Sequence, residues 1–291
     1  MACIEARGLR KTFAKTVALD GIDLRIEEGR IVGVVGPNGA GKTTALNAIL
    51  GLVPYQGELR VLGRDPWTER DRLMRDVSFI ADVAVLPRWI KIAQALDYVA
   101  GVHPRFDRTR AESFLAKTNI RHDNKVRELS KGMVVQLHLA IVMAIDARLL
   151  VLDEPTLGLD LLYRKHFYDS LLNDYFDRNR TILVTTNQVE EIQNVLTDIV
   201  FLDRGRIVLA CSMEELESRF VEVMVKPEQA AAARQFKPIH ERQGLGRSVF
   251  LFDRADRQQL GALGDLRTPT IADLFIAVMG NHAGQPQGVF K

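Results

Sequence analysis

The stretch "RIVGVVGPNGAGKTTALNAILGL", residues 30–52, constrains this chain more than any other. Its first part is a short, continuously apolar, β-branched run, the mark of a strand buried on both faces. Its last part, "TTALNAILGL", has helical spacing and good helix formers. Between them Gly36, Pro37, Asn38, Gly39, Ala40, Gly41, Lys42, Thr43 and Thr44 fit G-x-x-x-x-G-K-[ST], in the strand–turn–helix setting that this pattern requires. The glycines let successive backbone N–H groups turn inward around a phosphate. Lys42 supplies a point charge to the β and γ phosphates, and Thr43 offers a hydroxyl to Mg²⁺. The plain alternative, a flexible glycine turn, loses weight because strand and helix both flank it.

Two more buried strands follow later, "RLLVLDEP" and "TILVTT", and "GIDLRIEEG" alternates Ile22, Leu24 and Ile26 as a half-buried strand does. From about 90 to 147 the pattern is mainly helical, punctuated at "HPRFD" and "LSKG". Strands alternating with helices predict a mostly parallel sheet, and the helix-rich stretch predicts an inserted helical lobe. "LLVLDEP" sets two adjacent carboxylates at the end of a strand, where α/β sheets place ligands. Asp153 is the candidate Mg²⁺ ligand and Glu154 the candidate base that polarises the attacking water. A strand that merely ends in charge is common for a lone Asp-Glu pair. Beside the phosphate loop it is the weaker reading.

Composition removes several classes. Thirty-nine basic against thirty-seven acidic residues leave a net charge of +2, without long like-charged runs, so no nucleic-acid partner is expected. Cys3 and Cys211 have neither metal-ligand nor disulfide spacing, which fits a reducing compartment. The opening "MACIEARGLRKTF" lacks the apolar segment of a signal peptide, and nowhere do about 18 uninterrupted apolar residues occur. Any membrane role is therefore expected to be peripheral.

"ELSKGM", Glu128 to Met133, precedes the Asp153 strand by the interval seen in ATP-binding cassette (ABC) ATPases, whose signature reads LSGGQ. From about Ile4 to Leu216 the chain resembles the nucleotide-binding subunit of an ABC transporter. The resemblance implies an α/β P-loop NTPase core with a mostly parallel sheet, an antiparallel β edge and a helical lobe at about 85–147. It implies ATP with Mg²⁺, adenine stacked on Phe13, and Asp160 of "LGLD" in the loop that communicates between subunits. Alone, Phe13 reads as a core residue and Asp160 as a helix cap. The family's head-to-tail homodimer would bring Ser130 and Gly132, at the start of the helix "MVVQLHLAIVMAI", to the γ-phosphate held by the other subunit. Ser130 is equally an N-cap, and the two roles are compatible. A separately encoded transmembrane permease is the implied partner, on the cytoplasmic face of the inner membrane, with export favoured over import.

Three positions depart from the family pattern. Asp82 stands at the glutamine of the Q-loop; its carboxylate is a harder Mg²⁺ ligand but shorter, and it repels triphosphate. Lys131 and Met133 replace Gly and Gln in the signature. Asn187 stands where the family carries its switch histidine. It has an amide donor but no titratable nitrogen, and a turn role is equally natural for it. Two non-transport readings are a soluble ABC ATPase of translation or DNA repair and a nucleotide-dependent regulator with little hydrolysis. The first lacks the duplicated cassettes or basic arms expected of it. Beyond Leu216, "FVEVMVKP" alternates, "RSVFLFDR" reads as a strand and "TIADLFIAVMG" as an amphipathic helix. Residues 217–283 are thus expected to form a small α+β accessory domain, with 284–291 a tail.

Overall fold

A computed structural model describes residues 1–80, 86–157, 159, 161–177, 179–187, 190, 192–244 and 246–284. The hairpin β1 (Ala2–Phe13) and β2 (Thr16–Glu27) precedes β3 (Ile31–Val35), helix α1 (Lys42–Ile49) and β4 (Gln56–Val61). The short helix α2 (Arg70–Leu73) leads to β5 (Val77–Ile80). The helical lobe follows as α3 (Ile92–Val102), α4 (Arg108–Leu115) and α5 (Lys131–Met143). The chain then runs through β6 (Leu149–Asp153), α6 (Leu161–Ser170), β7 (Thr181–Thr186), β8 (Asp198–Asp203) and β9 (Arg206–Ser212).

The central sheet has the order β5-β6-β7-β3-β8-β9, parallel throughout except for the β8–β9 hairpin. A second sheet, β2-β1-β4, is antiparallel. The parallel strands bury both faces, and alternate residues enter different cores. Leu149, Val151 and Leu183 join the layer beneath the antiparallel sheet and α1. Leu150, Leu152, Ile182 and Val184 join the opposite layer. That is why these strands read as unbroken apolar runs. The lobe has its own core around Leu96, Leu115 and Leu137.

After β9 come α7 (Met213–Arg219), β10 (Phe220–Val225), α8 (Ala230–Gln235), β11 (His240–Gly244), β12 (Arg247–Asp253), α9 (Arg257–Gly261), β13 (Asp265–Arg267) and α10 (Ile271–Gly284). The four strands form one antiparallel sheet, β11-β12-β10-β13. The alternation expected for "FVEVMVKP" is absent from its burial, because β10 is covered on both faces. Val221, Val223 and Val225 face Ala233 and Phe252. On the other face Phe220 joins the core of the parallel sheet. Glu222, 2% exposed, is held there by Arg267 at 2.6 Å and Arg242 at 3.4 Å.

Helix α10 does not complete the small sheet's own core. Its apolar stripe Ile271, Leu274, Ala277 and Val278 packs into the core of the parallel sheet, and Phe275 meets Phe201 edge to face with ring centroids 5.2 Å apart. Leu274 is fully buried. Truncating a buried leucine costs roughly 2–5 kcal/mol in transfer and cavity terms. Leu274→Ala is therefore expected to lower the denaturation midpoint of the whole nucleotide-binding body, measured with a probe in the parallel sheet. Loss confined to the C-terminal sheet would contradict the shared core.

Candidate nucleotide site

Because β6, β7 and β3 are neighbours, the segments that follow them open at one edge of the sheet: the phosphate loop after β3, Asp153 and Glu154 at β6, Asn187 after β7. Ligands of parallel sheets bind outside such carboxyl ends. The loop is wedged between two backbone segments. A Cβ on Gly36 would lie 2.3 Å from the Leu202 carbonyl oxygen, and one on Gly41, at φ +107°, would lie 2.5 Å from that of Ala18. Neither position admits a side chain without moving the chain. Ala40 is locked into the same wedge by a hydrogen bond from the Gly205 amide at 2.8 Å.

Lys42 curls back over its own loop. Its Nζ donates to the Gly36 carbonyl at 2.7 Å and lies 3.4 Å from Glu154 Oε1, with only 7% of the residue exposed. Glu154 sits at φ +46°, a conformation disfavoured for a side chain of its size. It is held by its amide, which donates to the Thr185 carbonyl and to Thr185 Oγ1, both at 3.2 Å. Burial pushes the Glu154 carboxyl above the ordinary glutamate range, opposed chiefly by Lys42 and then by the Asn187 amide. That amide donates to Glu154 Oε2 at 3.3 Å. Asp153 is buried and accepts a 2.5 Å hydrogen bond from Thr185 Oγ1.

Thr185 was not singled out by sequence reasoning, yet it organises both acids. Its only signal was a hydroxyl one residue before the end of a strand adjacent to the acidic pair. Asn187, exposed, is brought to Glu154 through its backbone. Phe13 is 46% exposed at the tip of the β1–β2 hairpin, with Lys11 Nζ 4.7 Å from its ring centroid. A core role for Phe13 is excluded by that exposure. Thr43 is exposed and Thr44 half-buried at the start of α1. Asp82 and Asp160 lie outside the described residues.

Ser130 is the N-cap of α5, its Oγ accepting the Met133 amide at 3.3 Å. With Gly132 it lines a separate cleft of about 510 Å³ between α4, α5 and α6. Among the described residues no hydrogen bond or ion pair joins it to the phosphate loop. No three His, Cys, Asp or Glu side chains among the described residues form a metal cage. Thr43 and Asp153 are hard oxygen donors of the kind Mg²⁺ takes when phosphates supply the rest of its shell.

Sheet order, wedged loop and strand-end acids define a P-loop nucleotide-binding domain. The ABC transporter family model matches residues 19–157. The Nod factor export ATP-binding protein I of Cupriavidus metallidurans is 30% identical over 308 residues, covering 97% of this chain and 98% of that protein. The ABC transporter ATP-binding protein YtrB of Bacillus subtilis is 25% identical over 287 residues, covering 95% and 98%. A solved structure described as the ATP binding subunit of an ABC transporter superposes with a TM-score of 0.68 at 21% identity, over 74% of this chain and 92% of that one. This chain belongs to the ATP-binding subunits of ABC transporters.

Proposed function

We propose that the chain hydrolyses ATP slowly as a homodimer that drives a separately encoded permease, in the direction of export. The observation that carries this reading is the convergence of Lys42, Glu154 and the Asn187 amide at the carboxyl ends of three adjacent strands. Lys42 draws the terminal phosphates, and the loop amides wrap them. Thr43 and Asp153 hold Mg²⁺, which offsets charge on the phosphates. Glu154 takes a proton from the attacking water, a role that its raised pKa suits. Lys42 pairs with Glu154 in the same place that phosphates would enter, so nucleotide must displace that pair. Asn187 can donate to a phosphate oxygen but supplies no charge. That neutrality also favours the second reading, a regulator with little hydrolysis, which steady-state turnover measured alongside ATP binding would separate. Similarity to an export protein along nearly the whole of both chains supports the direction.

No described helix is long and apolar enough to cross a membrane, which supports peripheral attachment through a partner. The segment before α3 suits docking. Trp89 is 69% exposed while Leu86 and Ile90 pack on the lobe's core. Single cysteines at Arg88 and Lys91, both exposed, are expected to cross-link to the permease in membranes that contain both. Capture only from other surfaces would remove this docking site.

A further inference from the structure

A crevice of about 470 Å³ opens where the helical lobe meets the core, lined by Arg64, Arg72, Arg75, Asp76, Pro104 and Arg105. Its one acid is Asp76, 7% exposed, whose two oxygens each receive a guanidinium, Arg64 Nη1 at 3.0 Å and Arg105 Nη1 at 3.0 Å. Among the described residues Arg72 pairs only with the more distant Glu69, at 4.0 Å. Among the described residues Arg75 has no ion pair. Four guanidinium groups around one carboxylate leave a surplus of positive charge in a concave site, which repels itself and attracts anions.

The arginines come from three separate segments: the turn after β4, the α2 region and the α3–α4 connection. The proposed nucleotide site uses none of them. That site opens at the carboxyl end of the parallel strands, whereas Asp76 immediately precedes β5, at the opposite end. Guanidinium forks match the oxygens of a phosphate and bind them in pairs.

We propose that this crevice is a second anion site that takes a small phosphate-bearing solute, bridging Arg72 and Arg75 of the core to Arg105 of the lobe. A lipid headgroup carries the same chemistry. The crevice, however, lies at the amino end of β5, whereas the docking segment proposed above comes after that strand's carboxyl end in the chain. Resting on that docking reading, the crevice is assigned away from the permease and the membrane. A free solute is therefore the assigned source.

The test holds Mg-ADP at saturation, so that the phosphate loop is filled, and titrates pyrophosphate while following thermal unfolding. A ligand of the native state raises the midpoint progressively once its concentration exceeds Kd. The wild-type chain is expected to show this further rise, and the Arg72→Ala/Arg75→Ala double variant to lose most of it. Both side chains are exposed, and the ADP-induced rise, retained in the variant, certifies folding and an intact phosphate loop. No pyrophosphate rise in the wild-type chain, or an equal rise in the variant, overturns the site. A parallel arm sediments the protein with vesicles of phosphatidylcholine, with and without 30% phosphatidylglycerol. Arginine-dependent sedimentation with the anionic vesicles, without a pyrophosphate effect, overturns the solute assignment in favour of a lipid headgroup.

Discussion

Asn187→His is expected to raise kcat by up to about 10²–10³-fold with little change in ATP affinity, because one preorganised group that stabilises developing charge is typically worth that much. On the proposed reading the ground-state contacts come from Lys42, Thr43, Asp153 and Phe13, none of which the substitution changes. Steady-state turnover and equilibrium nucleotide binding, measured on the same preparations, should therefore separate. The backbone link of residue 187 to Glu154 Oε2 does not involve its side chain, so the imidazole enters without breaking it. The histidine variant should also gain a pH dependence near neutrality, where only imidazole titrates. A gain in affinity alone, or none in turnover, would return Asn187 to the role of a turn residue.

Glu154→Gln is expected to lower turnover by about 10²–10⁴-fold, the usual contribution of a positioned base, while leaving ATP bound. In the Asn187→His background it should erase the restored activity. The base works only when deprotonated, so the rate of the parent chain should fall as pH drops through the Glu154 pKa. Burial raises that pKa, which places the acid limb above the ordinary glutamate range. An acid limb at the ordinary glutamate position, or unaltered turnover in Glu154→Gln, would assign the proton transfer elsewhere.

Much of the core was readable from residues because its strands bury both faces and its loops carry glycine where nothing else fits. "RIVGVVG", "RLLVLDEP" and "TILVTT" could hardly be other than parallel strands, and Gly36 and Gly41 stand where a Cβ would strike backbone. What escaped depends on contacts between segments distant in sequence. Thr185 lies thirty-two residues from the Asp153 that it holds, and no local pattern records that. The positive φ of Glu154 leaves no trace in composition either. In the C-terminal region, β10 misled because its second face is closed by Glu222 and its arginines. A charged residue in an apolar strand reads as solvent-facing until its partners are known. Helix α10 showed an apolar stripe, but the stripe cannot say which of two cores it enters.

One chain is proposed to carry half of each ATP site: among the described residues, Ser130 and Gly132 line a cleft that includes no residue of the phosphate loop. Light scattering with saturating Mg-ATP tests it most directly. The slow turnover proposed for Asn187 should allow the dimer to accumulate in the parent chain. A monomer without nucleotide, a doubled mass with ATP and reversion after exchange into ADP are expected. An unchanged mass, in a sample shown by equilibrium binding to be filled with ATP, would contradict it.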